Sequence, residues 1–409
     1  MHNSCDFIPE NDTLFPDISY LVEPANGIWL LALDANTYIK KEKEPNDGIL
    51  SRDYPNTGLG LDNLLKNKKY LFDWVQKVIK EAEKHGKTLI AFSHYPMVDF
   101  NNGASNHIDN LLVDSKMQMQ RVPDENVAKM FADAGLKVHF GGHMHMNDTG
   151  NSTTKNGNTL VNVQAPSLAA YVPAYKLLTI TKDKLMDVQT IVIDSVPLFD
   201  EFFDLYELEH KYLESIGQED IWDKNILASK SYLECIIWHL KELVRLRFLA
   251  AEWPSNFSDL LLSSSGEDLL VLSQLQNDLS YTELLKRSKK VTESSSDFRK
   301  DALIKAKYYG IEPVQFDKWS GFDLLFDLYR LRGADELARK DIGKDRLSQY
   351  TFILNSFLNQ ESALLENDPM KRNMVELMAL LKKFLNGAPS DHFEIDLNNG
   401  AVRSLKIKP

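Results

Sequence analysis

Apolar and polar positions follow two different periods along this chain, and the change of period divides it. Residues 28–33, IWLLAL, form a short apolar run that ends in a polar loop at Asp34, the pattern of a buried strand. Residues 40–62 are rich in Lys, Glu, Pro, Asn and Gly and read as a solvated loop. Beyond it, Leu71, Phe72, Val75, Val78, Ile79 and Ala82 recur at helical spacing, and Gly86 follows as a stop. TLIAFSHYP is a second buried strand closed by Pro96. Asp124 caps a helix that ends at a glycine, and LKVHFGGH is a third strand. TLVNVQAP, YKLLTITK and MDVQTIVID are further strands with partial alternation. Strand–helix–strand–helix–strand implies an α/β layer with crossover helices, and the trailing strands imply an antiparallel part.

Near residue 199 the period becomes almost wholly helical. The run from Ile226 to Trp253 carries Tyr232, Leu233, Ile236, Ile237, Leu240, Leu243 and Val244 on one stripe, as a long amphipathic helix does. At the end, HFEIDLNNGAVRSLKIK alternates on both sides of Asn399-Gly400, a hairpin signal. The chain therefore divides into an α/β domain over 1–198, a helical domain over 199–390 and a terminal β-hairpin over 391–409. The helical region holds no catalytic motif. It is expected to be a structural appendage rather than a lid.

Composition narrows the field without naming a function. The 409 residues are 43% apolar and 26% charged, ordinary for a globular chain. The net charge of −12 and the lack of a basic run argue against nucleic acid as a partner. A small anion remains open, because a metal supplies local positive charge whatever the net charge. Cys5 and Cys235 are far apart and read as two free thiols. No apolar stretch reaches the length of a membrane span, and the first residues lack a basic and an apolar leader region. As given, the chain reads as cytoplasmic; a preceding segment carrying a signal would change that.

Five of the ten histidines fall within residues 94–145. His94 follows one strand, and His143 and His145 follow the next. Sites in open α/β sheets form beyond the carboxyl ends of strands, so three imidazoles are expected on one edge. Gly141 and Gly142 allow a tight turn there. Histidines at i and i+2 on extended chain point the same way, so one metal or a metal pair could take both. Asp34 sits at the same edge and reads chiefly as a turn cap. Asp99 and His107 lie in a long loop expected to border a substrate. His139 alternates within its strand and reads as structural.

FSHYP followed by FGGHMH resembles the last two metal motifs of the calcineurin-like metallophosphoesterase family. APSLAAYVPAYKLLTI also resembles a Gly-Ser-Leu-x-x-Tyr-Pro segment of a bacterial subgroup. The resemblance covers about residues 18–195. It implies part of an α/β/β/α sandwich and a phosphatase or phosphodiesterase acting on a small phosphoester. It implies two divalent ions (Mn, Fe or Zn) sharing a hydroxide, with His94 and His143 on one ion and His145 on the other. Asp148 matches an acidic residue of the subgroup and is expected to support an imidazole. The family's earlier motifs, Asp-x-His, Gly-Asp-x-x-Asp and Gly-Asn-His, have no counterpart here. Without their carboxylates one ion, rather than two, is expected, with weak or no turnover. The rival readings are a non-catalytic metal-binding remnant and a helical interaction protein. A sheet lacking its first strands would expose an apolar edge near 28–33 and 88–93, with self-association as the consequence.

Overall fold

The computed structural model describes residues 2–3, 6–8, 13–15, 17–37, 58–112, 116–274, 279–289, 293–359 and 368–406. Cys5 and most of the loop expected over 40–62 lie outside the described residues. The chain opens with β1 (His2–Asn3) and a small hairpin, β2 (Asp6–Ile8) with β3 (Thr13–Phe15). β4 (Tyr20–Ala25) turns at Gly27, whose φ is +87°, into β5 (Ile28–Leu33). β6 (Asn36–Thr37) pairs with β7 (Gly58–Leu59). Then come α1 (Leu61–Asn67), α2 (Lys69–Lys84), β8 (Thr88–Ser93), α3 (Ser105–Leu111), α4 (Glu125–Ala134) and β9 (Val138–Gly141). β10 (Asp148–Thr153) and β11 (Thr159–Gln164) complete the main sheet, whose order is β1-β4-β5-β8-β9-β11-β10. β5, β8, β9 and β11 run parallel, with antiparallel strands on both flanks.

The expected open edge is absent. β5 and β8 are interior strands, because β4 takes the place beside β5. Alternation missed β4: Tyr20–Ala25 is mostly exposed, and its register slips between Val22 and Ala25 around Glu23 and Pro24. β1 pairs in turn with the start of β4, at Tyr20 and Leu21, so residues 28–33 and 88–93 lie inside the sheet.

Strand alternation sorts the core into two layers. Leu31, Leu33, Ala91 and Leu160 face α2 and α4, meeting Val75, Ile79, Val127 and Phe131. Ile90, Val138, Val161 and Val163 face the other way, onto Met186, Val188, Phe393 and Ile395. Those belong to a second sheet of β12 (Ala174–Ile180), β13 (Leu185–Val192), β14 (His392–Asp396) and β15 (Ala401–Ser404). The Asn399-Gly400 hairpin thus forms and pairs with β13 to complete that sheet. The layering is α/β/β. On β12 the outer face carries Tyr175 and Leu177, about half exposed at 47% and 50%, where the expected fourth layer would place a helix.

The helical half comprises α5 (Phe203–Ser215), α6 (Tyr232–Leu243), α7 (Leu249–Glu252), α8 (Ser255–Leu262), α9 (Gly266–Gln274), α10 (Tyr281–Lys289), α11 (Glu293–Tyr308), α12 (Gly321–Ala334), α13 (Ala338–Ile342), α14 (Lys344–Leu358) and α15 (Pro369–Phe384). The long amphipathic run is α6 and α7 joined by a π turn over Val244–Phe248, and Pro254 ends it. This half is not a separate appendage. Ala104, Ile108, Leu111, Met117 and Tyr171 of the α/β half share one core with Phe257, Leu328, Met374 and Leu377. Among the described residues no helix is long and apolar enough to cross a membrane.

Candidate functional site

The carboxyl ends of β8 and β9 lie side by side, with Phe92 opposite Phe140. Three polar groups lock those ends together. His139 is fully buried; its Nδ1 lies 2.7 Å from Asn162 Oδ1 and its Nε2 2.9 Å from Ser93 Oγ. Asn162 Oδ1 already accepts from the Met97 amide, so His139 Nδ1 carries the proton, and Nε2 faces Ser93 Oγ, whose hydroxyl is shared with the Tyr95 carbonyl oxygen at 2.8 Å. Burial pushes the His139 pKa down to about 4, with the Asn162 bond opposing. His139 is therefore a neutral peg across three strands, directly beneath the edge.

On that edge the two chain segments touch. The Gly142 amide donates to the His94 carbonyl oxygen at 3.0 Å. A Cβ on Gly141 would stand 3.0 Å from Pro96 Cα and 3.2 Å from Tyr95 O, so this approach is tight for any residue but glycine. With its amide oriented to suit its neighbours, Gln164 donates to the carbonyl oxygens of Gly141 and Gly142. Pinned in this way, His94 Nε2 comes 2.9 Å from His143 Nδ1, with the rings edge to face at 4.9 Å. The Tyr95 ring lies against both, 4.9 Å from His94 and 4.5 Å from His143.

His145 is not related to His143 as expected. Both have positive φ, +63° at His143 and +56° at His145, so this stretch is turned rather than extended. The same-side argument for i and i+2 fails with it. His145 is exposed, and its bearing on the pair is electrostatic. Partial burial, then the charges of His94, Arg121 and His145, push the His143 pKa down to about 4. At neutral pH His143 is therefore an uncharged imidazole, able to accept a proton or to act as a donor atom.

The acids do not join this pair. Asp34 follows Leu33, which is paired with Ser93, so it stands one strand over from His94. Its carboxylate is taken up by Lys68 Nζ at 3.1 Å and by the Asn36 amide at 3.1 Å, a turn-capping role. Asp99 accepts from the Asn101 amide and from Ser105 Oγ, organising the entry to α3. His107 bonds Glu376 of α15 at 2.7 Å, so it ties α3 to the helical half and leaves the edge. Asp148 supports no imidazole among the described residues. It is buried, its Oδ1 has no hydrogen-bond partner, and its electrostatic neighbours are Asp335, Asp99 and Lys176. Burial, then the Asp335 and Asp99 charges, push its carboxyl pKa well above the usual range.

Arg121 was not legible as a site residue. It ends a 3₁₀ turn over Met119–Arg121, and its guanidinium lies 5.8 Å from the centre of the Tyr95 ring. Nothing in its own stretch, MQMQRVP, marks it; only folding carries that turn to the histidines.

The donor set does not fit a metal pair. Among the described residues no group of three His, Cys, Asp or Glu side chains is placed to hold an ion. A pair needs a bridging carboxylate; Asp34 and Asp99 are engaged by other groups, and Asp148 is buried with Asp335, Asp99 and Lys176 as its electrostatic neighbours. A cleft of about 550 Å³ opens nearby, lined by Val98, Asp99, Pro123, Thr149, Ser152 and Gly387, but none of the three histidines lines it.

No family model matches this chain, and no curated protein matches it. Among solved structures it is similar to a dimetal phosphatase from Danio rerio, at 15% identity and a TM-score of 0.28. That alignment covers 43% of this chain and 60% of that chain.

Proposed function

We propose that the edge formed by His94 and His143 is a phosphoester-handling site of the metallophosphoesterase type. In this reading binding persists and hydrolysis is weak. The 2.9 Å approach of two imidazoles from neighbouring strand ends is the observation that carries it. The motif resemblance of FSHYP and FGGHMH supports the substrate class. His94 and His143 supply two nitrogen donors, one of them held neutral, and Tyr95 screens them from one side. Two nitrogens without a carboxylate leave the charge of two ions uncompensated, so no metal-pair step is assigned to this chain.

The test is hydrolysis of an aryl phosphate and its bis-aryl diester by the full chain, with and without Mn or Zn, beside His143→Ala. Turnover is expected near background in every arm, with phosphate binding present in the wild type and weakened in His143→Ala. Vigorous metal-dependent turnover abolished by His143→Ala would show that an acid such as Asp34 completes a metal pair after all. A wild type that neither hydrolyses nor binds phosphate in any condition would end the phosphoester reading.

A further inference from the structure

We infer that Arg121 is the anchor of this site, and that it holds a phosphate dianion against His94 and His143 without a metal ion. The inference deepens the phosphoester reading and rests on it. Its starting point is an unmet requirement. Arg121 Nε is buried with no hydrogen-bond partner, and no ion pair or hydrogen bond of its guanidinium is formed among the described residues. Arginine stays protonated in proteins, and while Nε is enclosed, the two terminal nitrogens of this guanidinium are not, so they are the donors an arriving anion can reach. The acceptor it suits is planar or tetrahedral, anionic and able to take two parallel N–H bonds, which describes phosphate.

The position of the guanidinium is determined by its surroundings. Arg121 sits in a tight 3₁₀ turn, its amide bonded to the Gln118 carbonyl oxygen at 2.9 Å, with Pro123 two residues on. The guanidinium lies over the Tyr95 ring, and that ring touches both His94 and His143. One aromatic side chain thus joins the three groups. The charge of Arg121 is felt at His143. No carboxylate hydrogen-bonds either imidazole of the pair or Arg121 among the described residues, although the whole chain carries a net charge of −12. Arg121 sets a positive charge beside two imidazoles, which favours an anion. Here the arginine supplies the charge that a metal pair supplies elsewhere.

Binding of inorganic phosphate to the full chain, measured by calorimetry in the presence of a chelator, tests this. Wild type is expected to bind. Arg121→Ala should weaken binding about 10- to 100-fold, the range of one or two charged hydrogen bonds. Arg121→Lys keeps the charge but loses the fork, and should fall between the two. An unchanged thermal melt for the lysine variant shows that the fold is intact. Equal binding by wild type and Arg121→Ala, with loss in His143→Ala, would overturn the role of Arg121 while leaving the phosphoester reading standing. Phosphate binding that appears only when Mn or Zn is added would overturn the metal-free anchor in the same way. Failure of phosphate binding with chelator and with metal alike would remove both.

Discussion

The backbone amide of Asn147 donates to the carbonyl oxygen of Gly333 at 2.8 Å, so the loop that carries His143 and His145 is stitched to α12 of the helical half. The side chain continues the seam. Asn147 is fully buried; its Nδ2 donates to Ala334 O and Ser390 Oγ, and its Oδ1 accepts from Lys176 Nζ. Lys176 also donates to Thr190 Oγ1 and Ser390 O, drawing the second sheet into the same knot. Asn147→Ala removes one of the acceptors of buried Lys176 and the donor to Ser390 Oγ, while Ala334 O still accepts from the Leu337 amide. We expect a loss of about 3 kcal/mol, read as a lower urea midpoint at unchanged slope. A loss below about 1 kcal/mol would mean that the seam carries little of the fold's stability.

The two site glycines should differ. Gly141→Ala places a Cβ 3.0 Å from Pro96 Cα and 3.2 Å from Tyr95 O, both backbone atoms that cannot swing away. At Gly142 the nearest atom is His94 O at 3.5 Å, an ordinary contact. Gly141→Ala should cost about 1–3 kcal/mol and weaken phosphate binding by opening the His94–His143 approach. Gly142→Ala should melt close to wild type. Equal behaviour of the two variants in thermal melts would contradict the close approach at Gly141.

His139 predicts a specific acid sensitivity. Its folded pKa is depressed to about 4, while the unfolded chain titrates near the ordinary value of 6.5. Between those values the unfolded state binds the extra proton, so stability is fully present above pH 6.5 and is lost as pH falls towards 4. The slope contributed approaches about 1.4 kcal/mol per pH unit. His143 shifts in the same direction, but it is only partly buried and adds a weaker slope. A His139→Phe variant, though less stable at pH 7, should show a flatter decline over this window in chemical unfolding at stepped pH. An unchanged slope would place the titration elsewhere.

Asp335 predicts the opposite sign. It ends α12 with φ of +42°, is buried, and leaves Oδ2 without a partner. Burial raises its pKa to about 6, partly offset by Arg339, against the ordinary value of 3.8. The folded state therefore holds the extra proton between those values. Its stabilising contribution is present below pH 3.8 and is lost as pH rises through 6. Asn tolerates positive φ and keeps the shape without the charge. Asp335→Asn should therefore gain on wild type as pH rises from 4 to 6, by an amount of order 3 kcal/mol, the Arg339 pair being already contained in the shift. A gap that stays constant with pH would refute the assignment.

Local pattern by itself determined the elements and the order of the chemistry. The helical stripe of Leu71, Val75, Val78 and Ile79 became the buried face of α2, and Asp124 and Gly135 bound α4 as its cap and stop. Asn399-Gly400 turned the hairpin, and His94 and His143 followed adjacent parallel strands. These succeed because periodicity and capping are properties of neighbouring residues. Only the tertiary structure decided the rest. β4 and β10 are strands because partners offer them a ladder, although Tyr20–Ala25 is mostly exposed and Asp148–Thr153 is polar. His143 and His145 turn through positive φ, and Gly141 and Gly142 pack against residues 94–96, a contact between segments far apart in the chain. Asp34, Asp99 and His107 took partners in Lys68, Ser105 and Glu376, while Asp148 was buried with its Oδ1 left unpaired. Arg121 reached the site through one aromatic ring. Charge and hydrogen bonding act through space, and a side chain's role depends on which partner reaches it first.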